Sequence, residues 1–267
     1  MGKVEKGLGK DRGHATFFGM LYAEGIKMRR TWTLWLHILM PVIGITVFLL
    51  YYYVSIWSDW GKISAYVEVV SIVCPTLVGF VTALAAEQEK QAGHYQNILG
   101  IGKFRGKNLA VKLCSLLIWN LLAVSLTIGG FGAGFYLFVS RISVSAKFYF
   151  EVILLIWICQ IFAYEFHLFL GLRFSKGITI GAGIVESVVS ALMLTGLGER
   201  IWQWIPCAWA GRLSGYCVKA AADTGINVEY MMEQMRYGGV ALAVITLAGT
   251  VLLFVWFARY EGRRMED

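Results

Sequence analysis

The chain has 267 residues, of which 58% are hydrophobic and only 15% charged; average soluble domains are about 45–50% apolar and about 25% charged. The apolar residues fall in repeated uncharged runs, and a helix needs about 20 of them to cross a hydrocarbon core of about 30 Å, so the composition excludes an ordinary soluble domain. The net charge of +7 does not indicate nucleic acid, because the basic residues sit at the ends of the apolar runs, where they orient a chain in a bilayer.

Residues 1–13 form a polar, glycine-rich lead without the apolar core and cleavage site of a signal peptide. The first apolar helix is therefore expected to be retained, and residues 14–267 read as a single transmembrane domain. In 14–30, Phe18 and Tyr22 share a helical face with Phe17, Leu21 and Ile26, and the acidic Glu24 precedes Lys27, Arg29 and Arg30. This pattern predicts a helix lying in the membrane interface, with a simple extension of the first span as the alternative.

Six spans follow, at about 32–56, 64–86, 109–138, 148–172, 177–198 and 238–258. Pro41 and Pro75 lie inside the first two, which helices in lipid tolerate. Gly130 and Gly134 in the third span, and Gly177 and Gly181 in the fifth, fit the small-xxx-small spacing of close helix packing. An even number of spans places both termini on one side. Seventeen Lys and Arg fall on that side and seven on the other, so both termini are expected in the cytoplasm.

Away from the span ends, where Glu68, Lys112 and Glu151 sit, four ionisable residues lie within the apolar runs: His37 in span one, Glu165 and His167 in span four, and Glu186 in span five. Such groups are costly in lipid. They are compatible with helix–helix hydrogen bonding and equally with a substrate or proton path. The inner connection reads EQEKQAGHYQNIL over 87–99. Tyr95, Ile98 and Leu99 fall on one strip of a short amphipathic helix, flanked by Glu87, Glu89, Lys90 and His94, a natural docking element for a cytosolic partner. The alternative is a solvated loop. The outer connection, 199–237, opens with Trp202, Trp204 and Trp209, expected at the outer interface. It carries Cys207 and Cys217, which an extracytoplasmic loop permits to pair.

No metal-binding or catalytic motif appears. GIGKFRGKN (100–108) fails as a phosphate loop: its glycines are one residue too close, and Asn108 stands where Ser or Thr would bind magnesium. The chain is therefore expected to bind no cofactor, and any energy from ATP and magnesium to come from another polypeptide. Membrane-embedded enzymes are disfavoured. An ion-coupled carrier using Glu165, His167 and Glu186 remains open, although no inverted repeat is evident.

LYAEGIKMRRTWTLWLHILMPVIG (21–44) and EQEKQAGHYQNIL (87–99) resemble the first helices and the inner loop of bacterial ABC-2 type permeases. The combination is most similar to the lantibiotic-immunity permeases of Gram-positive bacteria, and HILMP (37–41) to their G-type subunit. The resemblance implies an all-α, six-span exporter fold of the ABC-2 or type V kind, with an elbow helix at 14–30 and a coupling helix at 87–99. It also implies an ATPase dimer, a second permease subunit, and an amphipathic peptide or another drug or lipid-like cargo.

Overall fold

The computed structural model describes residues 16–29, 31–91, 95–99, 105–142, 144–223, 225 and 227–261. The expected polar lead, Arg30 and His94 lie outside these residues. The described residues are helical, with no strand: α1 Phe17–Arg29, α2 Trp32–Val54, α3 Asp59–Gln91, α4 Gln96–Leu99, α5 Arg105–Phe138, α6 Ala146–Cys159, α7 Ile161–Arg173, α8 Lys176–Met193, α9 Trp209–Ala221 and α10 Val228–Ala258. Six stretches are long and apolar enough to cross a membrane: Thr33–Val54, Asp59–Gln91, Arg105–Phe138, Ala146–Arg173, Lys176–Met193 and Val228–Ala258. This is a multi-pass membrane architecture.

The helices depart from the expected spans for local reasons. The 33 residues of α3 extend about 50 Å, more than an apolar core requires. Span four turns at Gln160 (φ −86°, ψ −9°), in the sparsely allowed bridge region, and the Gln160 amide donates to Cys74 Sγ on α3 at 3.1 Å. The last helix begins ten residues early because the Asn227 side chain accepts from the Glu229 and Tyr230 amides, an N-cap. Its first turns are too polar to register as part of an apolar run. The fifth helix stops at Met193 rather than 198. Arg212 donates there to the carbonyls of Met193 (2.7 Å) and Thr195 (2.6 Å), closing a helix end that would otherwise leave acceptors unpaired.

α3 and α5 are the central helices; α2, α8 and α10 turn most of their surface outward. Glycines allow the closest approaches. On α5, Gly130 and Gly134 receive Ile45 and Leu49 of α2, so the four-residue spacing of one helix meets that of the other. On α8, Gly181 has open space around it, and a Cβ at Gly177 would meet only Ser175 Oγ, at 3.9 Å. The glycine held tightly there is Gly183, where a Cβ would lie 2.6 Å from the Pro75 carbonyl oxygen.

Candidate functional site

Four alternating charges meet where α1, the end of α3 and the beginning of α5 converge. Lys112 Nζ donates to Glu24 Oε2 at 2.9 Å and to Glu89 Oε1 at 2.7 Å. Lys27 pairs with Glu24 one turn away and stands 3.6 Å from Glu89. The Lys112 and Glu89 side chains are 5% and 3% exposed. Burial would raise the Glu24 pKa, but the Lys112 and Lys27 ammoniums outweigh it and hold the carboxyl below its ordinary value. Burial likewise acts to lower Lys27, and Glu24 and Glu89 overcome it to hold its ammonium above the ordinary value. Removing one member of so buried a set leaves an uncompensated charge.

The connection entering α5 is anchored beside this cluster. Tyr95 sits in the left-handed region at φ +66°, unusual for a bulky residue, and its amide bonds the Glu89 carbonyl at 3.1 Å. Tyr95 and Ile98 are buried in one apolar core with Met28, Leu109, Phe257 and Tyr260. Tyr260 Oη donates to the Leu172 carbonyl at 2.6 Å, and Arg105 donates to the Tyr260 carbonyl at 3.2 Å. The C-terminal end of the described chain is thus tied to α5 and α7 at the same end of the bundle.

This corrects the expected docking strip. Tyr95 and Ile98 face inward, Glu89 is buried in the ion pairs, and Leu99, Glu87 and Lys90 are half-buried. α4 spans only four residues, about one turn, so its apolar side is used up in packing. On α1 the faces are inverted relative to a soluble helix: Phe18 and Tyr22 are 79% and 73% exposed while Glu24 and Met28 are buried, and Arg29 is exposed. Lys112 had no expected role beyond orientation. A lone cation inside the apolar LAVKLCSLL run was the available sign that a buried carboxylate must face it.

The intramembrane groups divide into separate sites. Thr250 Oγ1 on α10 donates to Glu165 Oε1, whereas His167 Nε2 meets Glu186 Oε2 on α8 at 3.0 Å. Two residues apart on a helix means about 200° of rotation, so Glu165 and His167 point to opposite neighbours. His37 Nδ1 bonds the Thr33 carbonyl at 2.7 Å, on another helix altogether.

The expected outer loop contains α9, which packs against α3 and α6. Trp202 and Trp209 are fully buried around it; Trp204 alone of the three tryptophans is outward, at 71% exposed. A bulky Trp202 fits because Gly238 of α10 leaves room for its ring. The interfacial expectation therefore fails for Trp202 and Trp209. Cys207 and Cys217 are free thiols, not a disulfide. Ten residues of nearly continuous helical turns separate them by about 15 Å, too far for a bridge.

Among the described residues no group of three His, Cys, Asp or Glu side chains is placed to hold a metal. No family model matches the sequence, and no curated protein matches it.

Proposed function

We propose that this chain is the permease subunit of an ATP-driven exporter in the plasma membrane, with both termini in the cytoplasm and ATP hydrolysed by a separate ATPase dimer. The observation that carries this reading is the buried Glu24–Lys112–Glu89 cluster. It fastens a helix with outward-facing aromatics, α1, to the two helix ends that flank residues 92–104. A push on that connection is transmitted to α1, α3 and α5 together, because breaking the ion pairs costs more than moving the three as a unit.

Phe18 and Tyr22 give α1 a surface suited to the headgroup region, and its buried Glu24 gives it an attachment to the bundle. The partner surface is the half-buried rim of Glu87, Lys90 and Leu99, while Tyr95 and Ile98 set its shape from beneath. A second permease subunit, identical or homologous, would complete the transport path. The cargo is an amphipathic antimicrobial peptide of the lantibiotic class, expelled from the producer's own membrane. The separation of Glu165 from His167 and Glu186 disfavours a single proton relay and with it the ion-coupled carrier.

The test is paired. The tagged chain, purified in mild detergent from its native cell, should bring down a polypeptide with a phosphate-loop motif. Deleting either gene should lower tolerance to an added lantibiotic. Tolerance that persists without the ATPase, and collapses when the proton gradient is discharged, would replace this reading with the carrier.

A further inference from the structure

Glu186 carries a carboxyl group at membrane depth that the fold pairs on one side only. It lies within the 18 residues of α8, about 15 Å from the Lys176 end and about 10 Å from the Met193 end, inside the hydrocarbon layer. Its Oε2 meets His167 Nε2 of α7 at 3.0 Å. Among the described residues, Oε1 has no hydrogen-bond partner, and no Lys or Arg pairs with the carboxylate.

The two sides of this pair differ in access. The His167 side chain is 0% exposed, and its unpaired Nδ1 is enclosed. The Glu186 side chain is 24% exposed, and its unpaired Oε1 is open at the surface, so a donor from outside the chain can reach it. The surroundings are apolar. Ile184, Val185 and Val188 of α8 are exposed, and the half-buried Phe166 ring of α7 stands 5.5 Å from the His167 ring. An open carboxylate oxygen in such a surface is costly until a donor covers it. His167 cannot supply a second bond, because its other ring nitrogen is shut inside the bundle.

We infer that the crevice between α7 and α8 is a lateral binding site for a protonated amine borne on an apolar chain, entering from the hydrocarbon layer. The ammonium N–H donates to Glu186 Oε1, a charge-assisted bond, while the His167 bond to Oε2 holds the carboxyl in place. The chain lies against Phe166 and the outward valines of α8. A fatty alcohol offers a donor without the charge, a quaternary ammonium the charge without a donor, and a fatty acid is repelled. Glu165 cannot take the same ligand, since its unpaired Oε2 is enclosed. The site does not rest on the exporter reading, because every group it uses belongs to this chain.

The experiment uses the full chain in nanodiscs at neutral pH, with dodecylamine carrying an aryl trifluoromethyl-diazirine and the alcohol of the same chain for comparison. After irradiation, label from the amine should concentrate in peptides of α7 (162–170) and α8 (182–189), about tenfold above the alcohol, the effect of one charge-assisted hydrogen bond. Glu186→Gln keeps an oxygen for His167 but removes the charge, and should bring amine labelling down to the level of the alcohol. Glu165→Gln, one helical neighbour away with an enclosed carboxyl, should leave amine labelling at the wild-type level. Equal labelling by amine and alcohol in the wild-type chain would overturn the proposal, whether water or a second copy of the chain covers Glu186 instead; that comparison does not depend on any variant folding. Amine labelling that survives Glu186→Gln, or falls equally in Glu165→Gln, would overturn it too.

Discussion

Lys112 of α5 and Glu89 of α3 meet at 2.7 Å with side chains only 5% and 3% exposed, and Glu24 of α1 shares the same ammonium at 2.9 Å. The pair joins the two helix ends that bracket the connection leading into α5, so the rigidity of that end rests on charge complementarity as much as on apolar packing.

Breaking one side of this pair should be severe. Lys112→Met leaves two buried carboxylates facing each other without their shared cation, and about 3–5 kcal/mol of stability should be lost. Thermal unfolding in detergent measures it. Adding Glu89→Gln and Glu24→Gln to Lys112→Met should recover much of the loss, since no buried carboxylate is then left without its cation and Lys27, at 36% exposed, keeps its charge in contact with solvent. A Lys112→Met chain as stable as the wild type would show that the cluster does not hold the helices.

The same cluster sets a pH dependence. Glu24 is held below its ordinary value of 4.5, so the folded chain binds this proton less readily than the unfolded chain. Its contribution is full above pH 4.5 and is lost as pH falls through the folded value. Lys27 is held above its ordinary value of 10.5; its contribution is full below 10.5 and is lost as pH rises past the folded value. The thermal midpoint should therefore fall on the acid side, and Glu24→Gln should flatten that limb. An unchanged acid limb in Glu24→Gln would contradict the assignment.

Glycines that look alike in sequence should respond differently. Gly183→Ala places a methyl carbon 2.6 Å from the Pro75 carbonyl oxygen, a backbone atom, and must push α8 from α3; Gly181→Ala meets open space. A loss of about 1–3 kcal/mol is expected for the first, from overpacking, and none for the second. Circular dichroism melts of the two variants decide this, and equal effects would count against the α3–α8 packing.

All five cysteines should titrate as thiols. Maleimide labelling in denaturant, without reductant, should give five; three would show a bridge and displace α9.

What could be read ahead of the structure follows from how each signal is written. Span positions were legible because bilayer thickness imposes a composition on some 20 consecutive residues. Gly130 and Gly134 were legible because their four-residue spacing is a surface property of one helix. Gly183 was not singled out from Gly177 and Gly181, because its tightness depends on which residue of α3 lies opposite. The burial of Tyr95, Trp202 and Trp209 was not legible either. An aromatic residue beside polar ones suits an interface and a core equally well, and α9 carries Arg212 and Lys219, which hid it among loop residues. Glu24, Lys27 and Glu89 were each visible as charges. Their meeting at Lys112 required the packing of three helices separated by up to 88 positions in sequence.

The most direct test of the central claim, six crossings with the charge cluster facing the cell interior, is the sidedness of the two ends of the bundle. A reporter fused after Asp267 and a single engineered cysteine at Asp223 in a cysteine-free background would each be labelled with a membrane-impermeant reagent on intact cells. The account predicts that Asp223→Cys labels from outside and that the C-terminal reporter labels only after the membrane is opened. Labelling of both from the same compartment would contradict the crossing number, the cytoplasmic placement of Lys112 and Glu89, and the transport function built on them.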